Sequence, residues 1–94
     1  MTLTEFLLAR IEHDKRFFAT YGVEEEHRVQ LLAECEAKRK IVEHAIAWSA
    51  TLHEVPEGWS EGTTTAYRMA MEWTLCCLAL PYADHPDYAE ATTA

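Results

Sequence analysis

Glycine and proline, the residues that interrupt helices, are absent between Val23 and His53. At 1.5 Å per residue, an uninterrupted helix over this stretch would be roughly 45 Å long, which is long for a chain of 94 residues. Apolar residues also recur at helical spacing before and after it. We therefore predict an all-α fold, a three-helix arrangement built on a long helical hairpin with a short C-terminal turn. A single domain is expected over residues 1–94, with helices at about 3–21, 23–53 and 63–80, a loop at 54–62 and a tail at 81–94.

Local signals mark where these helices should begin and end. Thr2 and Glu5 have the spacing of a capping box, and Gly22 is expected to end the first helix in the left-handed conformation. The threonines at 63–65 are candidate N-caps of the third helix. Pro81 should end that helix, because the residue before a proline is disfavoured in helical geometry.

The second helix is predicted to bury one side against its neighbours, since its apolar residues follow a helical period. This side comprises Leu31, Cys35, Val42, Ala45, Ile46 and Leu52.

The third helix is apolar nearly all round, with only Arg68, Glu72 and Thr74 polar within it. Such a helix must be covered on more than one side, either by two helices of its own chain or by a second protein. We therefore consider two partners, a second copy forming a homodimer and a host protein. Its first apolar stripe comprises Tyr67, Met71, Leu75 and Leu78, and its second comprises Met69, Trp73, Cys76 and Leu80. Met69 and Trp73 are the candidate partner-binding residues.

The stretch LPYADHPDY, residues 80–88, has two interpretations. It is either a surface recognition loop anchored by its tyrosines, or the device that stops the third helix and covers the end of the bundle. In the second interpretation, which we favour, Asp84 or His85 caps a final turn that starts at Pro86. The candidate partner-binding residues of this stretch are Tyr82, Asp84, His85, Asp87 and Tyr88.

Trp59 lies in a loop flanked by glycines. An exposed tryptophan there would be a hot spot for a partner. We favour the alternative, in which its ring folds back onto the bundle.

Composition bounds the classes of function. A net charge of −8 argues against binding nucleic acid, which requires clustered Lys and Arg. The N-terminus lacks the basic start of a secretory signal, and the most apolar segment, residues 66–80, is shorter than a membrane span. Three cysteines, of which Cys76 and Cys77 are adjacent, do not make a disulfide framework and fit a reducing cytoplasm.

No pattern of catalytic or metal-binding residues is present in the sequence. Glu24 and His27 form half of the carboxylate-bundle pattern, which requires the same pair on a second helix. There is no phosphate-binding glycine loop and no nucleophile elbow. We expect no catalytic residues, no metal and no cofactor.

Two segments carry a resemblance to a known family. Residues 36–42, EAKRKIV, followed by residues 78–88, LALPYADHPDY, resemble a family of small uncharacterised proteins of actinobacteria and their phages, a domain of unknown function. The opening residues 4–11, TEFLLARI, are similar to the family too. The resemblance implies a phage or prophage origin as readily as a chromosomal one, and it implies no activity.

The chain departs from the family between the two segments. The resemblance implies cysteines there in many members, one of them shortly before a Thr-Leu pair, which invites a zinc site. Here Trp73 precedes Thr74 and no cluster of ligands remains, so a packed helix is expected instead of a metal site.

The leading hypothesis is thus a non-enzymatic protein–protein interaction module. The alternative is an acidic inhibitor that mimics nucleic acid and blocks a host protein, as the −8 charge and Glu24–Glu26 would allow. A metal-dependent all-α hydrolase is a third, weaker candidate.

Overall fold

The structure, a computed structural model, describes residues 1–93, and helices are the only regular elements within them. The predicted all-α class is confirmed. Ala94, the last residue of the predicted tail, lies outside the described residues. The elements are α1 (Leu3–Thr20), α2 (Glu25–Thr51), α3 (Glu61–Ala79), a 3₁₀ turn (Leu80–Tyr82) and α4 (Tyr88–Thr92).

The start of α1 forms as the sequence predicts. The Glu5 backbone N–H donates to Thr2 Oγ1 at 3.2 Å, and the Thr2 N–H donates to Glu5 Oε1 at 3.4 Å. This capping box satisfies N–H groups that have no partner inside the helix. The first turn of α1 is therefore fixed by its own sequence.

Two predicted helix boundaries are wrong in detail. Ser60 is the N-cap of α3, because its Oγ accepts the Thr63 N–H at 3.0 Å, so none of the three threonines caps this helix. The α1 helix ends at Tyr21 in extended backbone (φ −101°, ψ 146°). The positive-φ glycine of residues 1–93 is Gly58 (φ 83°), and Gly22 does not adopt that conformation.

Pro81 ends α3 by a route other than the predicted one. Leu80, directly before it, keeps helical dihedrals (φ −52°, ψ −42°). The chain tightens into the 3₁₀ turn, in which the missing N–H of Pro81 is not needed because proline occupies the first turn.

The core lies along the seam between α1 and α2, and α3 closes it at one end. On α2 the buried stripe is narrower than predicted, since Ile46 is exposed while Ala45 is buried. The Arg68 side chain of α3 donates to the Leu52 carbonyl at 2.5 Å, satisfying an acceptor at the C-terminus of α2. The connected buried residues are Leu7, Ile11, Cys35, Val42, Ala45, Leu75 and Ala79.

Candidate interaction surface

One face of α3 points away from the bundle and is apolar. We define the outward face of α3 by Met69, Trp73, Cys76 and Leu80. Met69, Trp73 and Leu80 are 65%, 70% and 61% exposed, although all three are large apolar side chains. Cys76 is half-buried between them. Residues spaced by four, three and four positions lie on one side of a helix, so these four side chains form a continuous row.

The opposite apolar stripe of α3 is the one that the bundle covers. Leu75 is buried, and Met71 and Leu78 are half-buried against the other helices. Tyr67 remains exposed at the margin. Of the two predicted apolar stripes of α3, the bundle therefore covers the one that contains Leu75 and leaves the outward face uncovered.

None of the four residues of the outward face is charged, and the nearest charged residue of α3 is Glu72, three positions from Met69 and four from Cys76. Arg68 and Glu72 line a groove of about 390 Å³ between α3, α2 and the N-terminus of α1. Arg68 is also held by its bond to the Leu52 carbonyl. The row from Met69 to Leu80 thus carries no ionic group, in a chain with a net charge of −8.

A smaller apolar groove of about 200 Å³ lies between α2 and α3, on the side of α3 that faces the bundle. Its walls come from Ile41, His44 and Ala45 of α2 and from Tyr67, Met71 and Leu75 of α3. This groove is therefore separate from the outward face.

Trp59 folds back towards the bundle, as the favoured interpretation holds. Its ring centroid lies 5.0 Å from that of Tyr67 and 6.2 Å from that of Trp48. The side chain is half-buried in this aromatic cluster. Packing explains its position, and its role as a partner anchor stays a prediction.

The closing stretch, residues 80–88, packs onto the N-terminal half of α1. Phe6 is the centre of this contact, with its ring 5.3 Å from His85, 6.2 Å from Tyr82 and 6.3 Å from Tyr88, in edge-on arrangements. Such aromatic pairs stabilise beyond the area that they bury. Tyr82, His85 and Tyr88 therefore contact their own chain.

The remaining polar residues of the stretch are Asp84 and Asp87, which are exposed. His85 acts as a local cap, since its Nδ1 accepts the Asp87 N–H at 3.1 Å. The predicted start of the final turn at Pro86 is wrong, because α4 begins at Tyr88 with Asp87 at the N-cap position. The bond to His85 lies within the turn that precedes α4.

Tyr82 also links the stretch to α1 by a hydrogen bond over 68 positions of sequence. Its hydroxyl donates to Asp14 Oδ2 at 2.5 Å. Burial, together with this bond to a carboxylate, raises the pKa of Tyr82 well above its ordinary value.

The substitution Tyr82→Phe is expected to lower the free energy of unfolding by about 1–2 kcal/mol at neutral pH, because the half-buried Asp14 carboxylate loses its donor. The pKa of Tyr82 is higher in the folded than in the unfolded chain, so stability should fall as pH rises above about 10. The variant should lose this part of the pH dependence. Urea unfolding of both proteins between about pH 8 and about pH 11 measures it.

Tyr88→Phe provides the matched control, since the Tyr88 hydroxyl donates no hydrogen bond to any residue from 1 to 93. Both variants keep the aromatic ring and remove only the hydroxyl. An equal loss of stability in both would show that the hydrogen bond to Asp14 makes no specific contribution.

Acidic and basic side chains alternate along α1 and α2. Arg16 lies 3.2 Å from Glu12, and Arg39 contacts both Glu36, at 2.6 Å, and Glu43, at 2.8 Å. Beyond Lys40 the sequence has a single basic residue, Arg68. The acids there are distributed over several elements and so are not spaced along one helix: Glu43 on α2, Glu54 and Glu57 in the loop before α3, Glu61 and Glu72 on α3, and Asp84, Asp87 and Glu90 beyond it.

The described part of the chain has neither a cluster of metal ligands nor a helix that could span a membrane. Within residues 1–93, no three His, Cys, Asp or Glu side chains are grouped as metal ligands would be. None of the helices described is long and apolar enough to cross a membrane.

The model of a family of unknown function (DUF6221) matches residues 19–92. The match includes α2, α3, the EAKRKIV segment and the closing stretch, and it leaves out the first 18 residues. No curated protein and no solved structure matches the chain.

Proposed function

Since the chain belongs to DUF6221, a family to which no function is assigned, we propose a role from its surface: it is a non-enzymatic protein–protein interaction module that binds through the outward face of α3. Its partner is a second copy of the chain or a host protein. The observation that carries the proposal is the exposure of Met69, Trp73 and Leu80 in one uncharged row.

The size of the row supports this role. Trp73 at 70% exposure presents about 150–180 Å². With Met69 and Leu80, the row reaches about 300 Å². Contiguous apolar patches of a few hundred Å² are the largest that monomeric proteins usually carry, and they commonly mark interaction sites. On a chain of 94 residues this patch is a large share of one helix.

The two signature segments, residues 36–42 and 78–88, bear on the origin of the protein and on where it acts. Their resemblance to actinobacterial and actinophage proteins supports a phage- or prophage-encoded protein that acts inside the bacterial cell. Asp84 and Asp87, exposed beyond the end of α3, are the candidates for polar contacts at the rim of the interface.

Capture of proteins from an actinobacterial lysate tests the role of the outward face. The intact chain should retain a protein, either its own copies or a host protein, in amounts comparable to the bait. Trp73→Glu should lose it, because a charge in the centre of an apolar contact is desolvated without a partner. Val29→Glu is the matched control, since Val29 is an exposed apolar residue of α2.

Equal capture by the intact chain and by Trp73→Glu would contradict the proposal. An acidic inhibitor, favoured by the scarcity of basic residues beyond Lys40, is distinguished in the same experiment. Its contacts would be ionic and would be lost when the wash is raised from about 0.1 M to about 1 M salt, where charges are screened within about 3 Å. Capture through the outward face should survive that wash.

A further inference from the structure

We infer that the occupant of the outward face is a second copy of this chain, bound so that the two α3 helices run antiparallel. In this arrangement Met69 lies opposite Leu80 of the partner subunit, and Trp73 lies opposite the partner's Cys76. The inference rests on the proposed function and names its partner.

The spacing of the outward face is the first argument. Met69, Trp73, Cys76 and Leu80 follow one another at intervals of four, three and four residues. These are the intervals of the seam along which two helices pack. The series also reads the same in both directions, so a two-fold axis between positions 74 and 75 brings each member opposite another member. The surface is therefore complementary to itself, as a contact between identical subunits requires.

The sizes of the opposed side chains are the second argument. The two-fold axis places Trp73, the largest side chain of the row, against the small side chain of the partner's Cys76. It pairs Met69 with a leucine of similar volume, Leu80 of the partner subunit. Large residues facing small ones allow two helices to interdigitate without a void. In a parallel pair each residue would face its own copy, and the two Trp73 rings would meet at one level.

Electrostatics is the third argument. Two copies that each carry a net charge of −8 repel one another, so a contact between them requires a surface without charge. The four residues of the outward face are uncharged, and the nearest charged residues of α3, Arg68 and Glu72, line the groove that α3 forms with α2 and the start of α1.

The available area sets the strength of the contact. About 300 Å² per copy from the three large side chains gives about 600 Å² in the pair, to which the small side chains beside them add. Stable interfaces usually bury a total of about 1,200–2,000 Å², and smaller interfaces are weak. We therefore expect a dimer that dissociates on dilution, with a dissociation constant of about 1–100 µM.

Charge reversal across the pair tests both the partner and the register. Met69→Lys alone and Leu80→Glu alone should each weaken the dimer at least about tenfold, because each places a charge against an apolar side chain. The double variant should return to within about threefold of the original, since every new lysine then faces a new glutamate of the other subunit. Sedimentation equilibrium between about 10 µM and about 500 µM measures the dissociation constants. Val29→Lys is the control for added charge, and circular dichroism checks that each variant remains helical.

Three results would overturn the inference. They are a protein that stays monomeric at about 500 µM, a dimer unaffected by either single change, and a double variant as weak as the singles, which is the result expected of a parallel pair. If the chain is strictly monomeric but still captures a host protein in a Trp73-dependent way, the inference is contradicted and the proposed function is supported. If neither dimerisation nor Trp73-dependent capture is observed, the inference and the proposed function are both contradicted.

Discussion

The substitution Phe6→Ala is expected to lower the free energy of unfolding by about 3–5 kcal/mol, the usual range for emptying a buried phenylalanine site. Phe6 is 1% exposed and is the ring against which Tyr82, His85 and Tyr88 all pack. A domain of this size is stable by about 5–15 kcal/mol, so the loss is a large part of the total. The expected consequence is a closing stretch that no longer docks on α1.

Phe17→Ala is the matched control, because Phe17 lies on the same helix and is 46% exposed. This change should cost less, about 1–2 kcal/mol, since almost half of the removed surface is already in water. Urea unfolding measures both losses, and amide hydrogen exchange over residues 82–92 reports the release of the stretch in Phe6→Ala. Comparable losses in the two variants, or unchanged exchange over residues 82–92, would contradict this account of Phe6.

The importance of Phe6 also shows where sequence reasoning stops. Helical spacing places Phe6 on the apolar side of the first helix, and it does so equally for Phe17. The two residues differ because the closing stretch reaches one of them and not the other. That contact joins residues almost 80 positions apart, and no local period encodes it.

Features fixed by neighbouring residues were predictable. The capping box of Thr2 and Glu5 needs only a short segment, and it forms as the spacing predicts. The two apolar stripes of α3 were predictable too, because a helix with so few polar residues cannot direct every apolar side chain to one side, but the sequence left open whether the bundle covers both. Which stripe is uncovered depends on where α1 and α2 lie, and this required the structure.

The errors come from equivalent local choices that only the tertiary structure can decide. Ser60 and the following threonines are all acceptable N-caps, and Ser60 supplies the side chain that meets the Thr63 N–H. On α2, Ala45 and Ile46 are adjacent in sequence, but their side chains point about 100° apart around the helix axis. Ala45 is therefore buried while Ile46 stays exposed.

The same distinction between neighbours gives the second large effect, within the EAKRKIV segment of α2. Val42 is fully buried, whereas Ile41 is 40% exposed. The substitution Val42→Asp is expected to cost more than about 4 kcal/mol at neutral pH, because it places a carboxylate in the core without a partner. At neutral pH the variant should unfold at a much lower urea concentration than the original chain, as followed by the helical signal in circular dichroism.

Ile41→Asp tests whether this effect depends on position, since it makes the same chemical change one residue away. Its carboxylate can remain hydrated, so the expected cost is about 1 kcal/mol or less. The buried carboxyl of Val42→Asp should also have a raised pKa. Its destabilisation should therefore be smallest below about pH 4 and should grow as pH rises through the folded-state pKa. Unfolding measured from about pH 3 to about pH 8 checks both expectations. Similar losses in the two variants, independent of pH, would mean that α2 does not present Val42 to the core.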